Sequence, residues 1–491
     1  MKSNKLILGL LMCMSTVFFA CQKGISDNPN PTDTTGTNSG TQSDKLKDSV
    51  YLYTKEVYLW HAVIPSYAQF NPRGYSGATD LESATNVLNA IKALQPLDRY
   101  SFVVSKEQSD GLQTGASKDF GFLVQAAAAD YAYPIDSVYW YVNYVLKNSN
   151  AGLAGVKRGW YISKINGTAL GYNQSSVDLL NNTFFGTTSS ATFEFTKNDG
   201  TTTSMNLTTS SYVANSVLFD TVYASTTGQN IGYLVFHQFL GQPSRTELAK
   251  SFAKFQAAGV NELIVDLRLN HGGSTDTQDT LADLIAPNSA NNQKMYTYIY
   301  NDSLQAGKFP LLKNKFGLAN APSNIFAPAQ NVVNFQKAGS LNLSRVVMIT
   351  SRETASASEL LINNLRPYMT VKLVGDTTYG KPVGFFPIDI YNLSIYPISF
   401  KTVNSQNNGD YYTGFAPDKV QADGVNKNWG DINEPSLYSS LSYLITGSYG
   451  RFANADAEGK RQLAIQKQFA PLNMKISNNR FSGQFIEKKL R

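Results

Sequence analysis

Ser356, Ser358 and Lys381 are the residues whose type and setting could do chemistry. They lie in RVVMITSRETASASELLINNLRPYMTVKLVGDTTYGKPVG, residues 345–384. An apolar run ends near Ser351, a turn follows, and a helix is expected to begin within ASASE. A serine there sits at a helix N-terminus, where unpaired N–H groups favour negative charge. The helix and a following strand at 371–375 then carry the chain to Gly380 and Lys381. In a strand–helix–strand unit with short loops, both loops fall at one end of a parallel sheet. A serine and a lysine some twenty-five positions apart can therefore meet. A lysine drawn into an apolar cleft loses its proton more easily, because desolvation disfavours the charged form. It can then act as general base to a hydroxyl. On these residues alone, the small side chains also suit a helix cap, and Gly-Lys also suits a turn with a solvated charge.

A second segment, ELIVDLRLNHGG at 262–273, predicts a buried strand delivering a Gly-Gly turn. Such a turn lets backbone approach another group closely. Strand–helix alternation surrounds it: strand 231–239, helix RTELAKSFAKFQAAG, strand 263–267, helix TQDTLADLIA, strand 345–351, helix ASELLINNL and strand 371–375. This pattern predicts a sheet covered by helices over 213–447. Residues 113–212 instead alternate short apolar runs with Gly, Asn and Thr turns, which predicts a small β-rich domain. Leu46, Val50, Tyr53, Val57 and Trp60 recur at helical spacing, as do Leu81, Ala84, Val87, Leu88 and Ile91, so 44–112 reads as a helical domain. Residues 448–491 form a weakly patterned C-terminal extension. The fold class is multidomain α/β (α+β).

Composition narrows the chemistry. The 491 residues carry a net charge of +6, only 16% charged residues and no long Lys/Arg run, so no nucleic-acid partner is expected. Both cysteines, Cys13 and Cys21, lie at the start, which excludes a disulfide, a thiol nucleophile or a cysteine-based zinc site in the body. His61, His237 and His271 form no His-Glu-x-x-His pattern, and no metal is expected. Lys2 and Lys5 precede an apolar stretch at 6–20 that ends at Ala20 before Cys21. This pattern resembles a bacterial lipoprotein signal over 1–20, which implies cleavage before Cys21 and lipid on its thiol and amino terminus. The polar segment 21–43 reads as a flexible tether with a reach of about 25 Å. The expected location is the bacterial cell envelope, lipid-anchored and facing the periplasm or the cell surface.

TASASE followed by LVGDTTYGK resembles the signature of the C-terminal-processing, or tail-specific, serine peptidases. The resemblance implies that Ser356 is the nucleophile and Lys381 its base, with Ser358 as the runner-up nucleophile. LDLR-x-N-x-GG, matched by residues 265–273, implies an oxyanion hole from the N–H of Gly272 or Gly273 with that of Ala357. Asp266 and Arg268 are expected to fix this turn. Glu359 and His271 are possible supports, and His237 is expected to be a strand residue. Residues 118–124 and 154–170 resemble a PDZ domain, whose peptide-binding loop would be Phe120-Gly121-Phe122, with Trp160 replacing a usual acidic residue. The sequence departs at Phe385, where many members carry a glutamine that orients the lysine.

The reading is an exported serine endopeptidase that hydrolyses polypeptides, at chain ends or in unfolded segments, with a Ser-Lys dyad and no cofactor. Its alternative is a catalytically weakened, peptidase-like binding protein of the envelope. A site using His237 or His271 as base is the remaining variant. The N-terminal helical domain is expected to contribute to assembly or gating.

Overall fold

The computed structural model describes residues 40–128 and 138–450. The signal, Cys21, nearly all of the tether and most of the C-terminal extension lie outside the described residues.

Two helices open the body. α1 (Gln42–Val57) is capped by Thr41, whose hydroxyl accepts from the Asp44 N–H while the Asp44 carboxylate accepts from the Thr41 N–H. α2 (Asp80–Lys92) is capped by Thr79. Their apolar faces, including Leu46, Val50, Val87 and Leu88, join one hydrophobic core with Leu234, Val265, Ile362 and Phe385. The helical segment thus shares its core with the chemistry-bearing segments. A strand follows at once: β1 (Phe102–Ser105) pairs antiparallel with residues 393–396, far along the chain. The sequence pattern had suggested only helices there, because a short half-buried strand shows no periodicity of its own.

α3 (Lys106–Thr114) then leads into β2 (Ala116–Asp119) and a second module. Its sheet holds β3 (Phe122–Ala128), β4 (Val138–Val145), β5 (Tyr161–Ile165), β6 (Ser190–Thr196) and β7 (Thr202–Thr208), in that spatial order. β3 lies at the edge of this sheet. α4 (Gln174–Phe185) covers it through Val177 and Leu180, and Phe120, Phe122, Trp140, Phe193 and Phe195 fill a core of their own. β8 (Ser210–Val213) returns to pair with β2.

The main sheet contains β9 (Val217–Ala224), β10 (Asn230–Phe236), β11 (Glu262–Asp266), β13 (Arg345–Thr350), β14 (Thr370–Gly375) and the short β17 (Lys419–Val420). β12 (Lys294–Tyr300), β15 (Leu393–Tyr396) and β16 (Phe400–Asn404) belong to two smaller sheets. From β10 onward the main-sheet pairs are parallel. Parallel strands buried on both faces read as continuous apolar runs, as in LIVD and VVMI. α5 (Gln242–Ala257), α6 (Thr275–Ile285) and α7 (Ala357–Leu365) are the connecting helices, and α8 (Pro435–Thr446) packs on β13 and β14. All nine residues of α7 are buried, so this helix runs through the core.

A charge network joins the β-rich module to the end of β11. The Arg268 guanidinium donates to Asp266, Asp423 and Glu434, at 2.6–3.1 Å. Arg158, from the β-rich module, donates to the same Asp423 oxygen at 2.5 Å and to Asn143. Trp429 has the Arg158 guanidinium 4.0 Å and that of Arg268 5.5 Å from its ring centroid. Burial pushes the Glu434 carboxyl up, but Arg268 more than offsets this and holds it well below the usual range. Removing one member of a buried network leaves the others uncompensated. Arg268→Ala is therefore expected to destabilise the body by about 3–5 kcal/mol, read as a lower midpoint in urea unfolding. An unchanged midpoint would contradict this role.

Candidate active site

The parallel sheet sets the site. β11 and β13 are neighbours, and their C-terminal ends release the two loops that carry Gly272 and Ser356. Open α/β sheets place reactive groups at this edge.

Ser356 is the residue before α7, with φ 61° and ψ −113°. This is the left-handed side of the map, sparsely used by non-glycine residues and costing about 1–3 kcal/mol. Such a residue persists only where its surroundings over-determine it. Gly272 shows how tight those surroundings are. Its φ is +98°, and a Cβ there would stand 2.7 Å from the Ser356 Cβ and 2.9 Å from both the Ala355 oxygen and the Ala357 nitrogen. Ser356 is fully buried (0% exposed), and its Oγ has no hydrogen-bond partner among the described residues.

Glu359, one turn into α7, joins the serine to the lysine. Its Oε2 accepts from the Ser356 N–H at 2.9 Å and from the Lys381 N–H at 2.8 Å. Its Oε1 accepts from the Gly380 N–H and the Thr378 hydroxyl, both at 2.6 Å. One carboxylate oxygen thus holds the backbones of both residues singled out from the sequence. Burial raises the Glu359 carboxyl above its ordinary range, while the Thr378 hydroxyl and the three amides act in the opposite direction.

Lys381 is also fully buried. Its Nζ lies 4.3 Å from the centroid of the Phe385 ring and 5.6 Å from that of Tyr100. Desolvation lowers the ammonium to about 7, against the opposing charges of Asp98 and Glu359. A lysine poised near neutrality is a competent general base. Phe385 stands where the resemblance led us to look for glutamine, and it forms an apolar wall over the amine. It is held edge-on to Phe102 and Tyr396, with centroids 5.4 Å and 5.2 Å away.

The Gly-Gly turn is built by Asn270. Asn270 Oδ1 accepts from the Gly272 N–H at 2.8 Å, and its Nδ2 donates to the Phe236 carbonyl at 2.8 Å. Its carbonyl accepts from the Ala355 N–H at 3.1 Å and from the Ser358 hydroxyl at 3.2 Å. Ser358 therefore braces the turn. The Gly272 amide is engaged, whereas the N–H groups of Gly273 and Ala357 meet no acceptor among the described residues. Asp266 and Arg268 fix the turn from behind, and the Ser351 hydroxyl donates to the Arg268 carbonyl at 2.5 Å.

The remaining sequence candidates lie around this centre or away from it. The His271 Nε2 is 3.7 Å from Glu353. His237 is buried, with its ring centroid 4.5 Å from that of Tyr144. Both histidines line a cavity of about 1550 Å³ that reaches Gly272 and Gly273. His61, between α1 and α2, contacts Asp302 at 2.5 Å. Phe120, Gly121 and Phe122 belong to the β-rich module, with both phenylalanine rings in its core.

The sequence reading missed the contribution of Asp98-Arg99-Tyr100. The Tyr100 hydroxyl donates to the Gly380 carbonyl at 2.5 Å, and Arg99 reaches the same carbonyl at 3.3 Å. Asp98 accepts from the Tyr58 hydroxyl and the Ser101 hydroxyl. The two contacts to Gly380 span about 280 residues of chain, and no local pattern announces them. Asn270 did carry a signal, since it stands inside the LDLR-x-N-x-GG motif.

Residues 230–421 match the model of peptidase family S41. A carboxyl-terminal-processing protease of Picosynechococcus sp. is 27% identical over 154 residues, 31% of this chain and 30% of that protein. One from Synechocystis sp. is 24% identical over 225 residues, 45% of each chain. The alignments thus span less than half the length of these curated relatives. A structure from Bacteroides fragilis assigned to the S41 proteases has the same fold, with a TM-score of 0.60 at 23% identity over 81% of this chain and 97% of that one. The S41 stretch contains Ser356, Lys381, Glu359 and the Gly-Gly turn, whereas Asp98 and Tyr100 lie before it.

Gly272→Ala is expected to strain the turn and, in protein that still folds, to reduce activity by about 10²-fold or more, the scale of losing one oxyanion donor. The added methyl would displace Ser356 and Ala357. Full activity in a folded Gly272→Ala protein would contradict this packing.

Proposed function

We propose that the protein is a serine endopeptidase in which Ser356 is the nucleophile and Lys381 its general base. The observation that carries this reading is the Glu359 oxygen shared by the two backbone amides, beside a buried lysine lowered to about 7. In the reaction, the Ser356 Oγ attacks a peptide carbonyl as neutral Lys381 takes its proton. The N–H groups of Ala357 and Gly273 receive the oxyanion at the start of α7. Lys381 returns the proton to the leaving amine, then activates the water that releases the acyl group. The chain needs no other titrating group for these steps.

Export and lipidation at Cys21 belong to the same proposal and rest on the N-terminal pattern, as does a PDZ-like role for residues 113–212. That role is supported by the open edge of β3 beside α4, since such domains bind peptide by adding a strand at a sheet edge. The substrates are polypeptides that can present an extended segment.

The test is cleavage of an unfolded protein by residues 44–491, beside Ser356→Ala and Lys381→Ala, with folding checked for all three. The unmodified protein is expected to cut, and each variant to lose about 10⁴-fold or more. The base must be neutral to accept a proton. The kcat/KM is therefore expected to rise with pH through a midpoint near 7 and level off above it. Folded protein that does not cut at any pH would favour the binding-protein reading, with Phe385 as the residue to examine.

A further inference from the structure

The loop at the start of β3 carries its own anion. In the PDZ-like reading, on which this inference rests, the amides of Phe120-Gly121-Phe122 would hold the terminal carboxylate of a peptide. Asp119 already stands there. Its Oδ1 accepts from the Gly121 N–H at 2.7 Å and from the Tyr212 hydroxyl. The loop is rigidly seated. Gly121 has φ +82°, a Cβ on it would fall 1.9 Å from the Ser149 Cβ, and its carbonyl accepts from the Leu146 N–H at 2.7 Å. Lys118 is the adjacent cation in sequence, but burial alternates along β2, so it is exposed where Asp119 is half-buried.

A second carboxylate brought to this loop would meet a like charge and find one of its donors taken. Like-charge juxtaposition at an interface is strongly unfavourable. The edge of β3 has no such obstacle, because strand addition uses backbone N–H and C=O groups alone. Asp119 and Tyr212 also line the cavity that runs to Gly272 and Gly273. A segment that continues past the loop can extend through this cavity toward the turn, whereas a chain ending at the loop stops short of it.

From this we infer that the β-rich module accepts internal, extended polypeptide segments and discriminates against a free C-terminal carboxylate, with Asp119 as the determinant.

The experiment uses two fluorescent peptides of one apolar sequence, one with a free C-terminal carboxylate and one amidated. Each is titrated into the full chain carrying Ser356→Ala, which removes turnover. The amide is expected to bind at least as tightly as the acid. Asp119→Asn keeps an acceptor for Gly121 while removing the charge, and Asp119→Ala removes both. Both are expected to move the acid-to-amide affinity ratio toward the acid, by about tenfold for the alanine variant. Tenfold preference for the acid with Asp119 intact would overturn the inference. A ratio unmoved by either substitution would do the same, and so would failure of both peptides to bind. Failure of the peptidase reading is distinguishable, because it would appear as absent cleavage by protein with Ser356 intact while this binding pattern held.

Discussion

A buried carboxylate without partners is among the most expensive groups a protein can contain. Glu359 is fully buried, and four donors from two segments converge on it. Charge-assisted bonds of this kind are short and roughly twice as strong as neutral ones. The carboxylate cannot be satisfied unless the start of α7 and the loop 378–381 come together. The interaction that makes Glu359 tolerable is therefore the one that places Lys381 beside Ser356. It also makes the unusual backbone of Ser356 affordable, because the N–H of that residue is fixed from below while Gly272 closes on it from the side.

The rest of the molecule holds this junction from several directions. Arg268 locks the end of β11, and with it the base of the Asn270–Gly273 turn. Arg158 carries that lock into the β-rich module through Asp423. On the far side, Tyr100 and Arg99 bind the Gly380 carbonyl, so the N-terminal helical segment takes part in setting the lysine loop. Phe385 keeps water from the amine by packing within an aromatic cluster with Phe102 and Tyr396. In the structure, two of the supports for the lysine thus come from outside the S41 stretch. Ser356 and Lys381 are sealed from solvent, so a polypeptide reaches them only by displacing contacts that now cover them.

Much of the chemistry-bearing core was legible because its signals are local. Continuous apolar runs mark β10, β11, β13 and β14, and helical spacing marks α5 to α7. Small residues at the start of α7 and the paired glycines after β11 advertise the two loops. Other features were hidden because they depend on distant partners. The strands β1, β12, β15 and β16 pair across large separations, and a half-buried edge strand such as β1 resembles a loop in sequence. Phe385 reads in sequence only as a departure, and only its packing against Phe102 and Tyr396 shows that an aromatic ring lies over the Lys381 amine. The choice between Gly272 and Gly273 was open from sequence. What the structure adds is that the Gly272 N–H donates to the side-chain oxygen of Asn270, a bond no spacing argument could assign.

The most direct measurement is the rate at which a fluorophosphonate, a small serine-directed electrophile, labels the protein across pH 5 to 10. The labelled residue is identified by peptide mapping, and Lys381→Ala is run in parallel. The account predicts a single label on Ser356, with a rate that rises with pH to half its maximum near 7 and falls to background without Lys381. Labelling of Ser356 that ignores the loss of Lys381, or a label on a different residue, would contradict it.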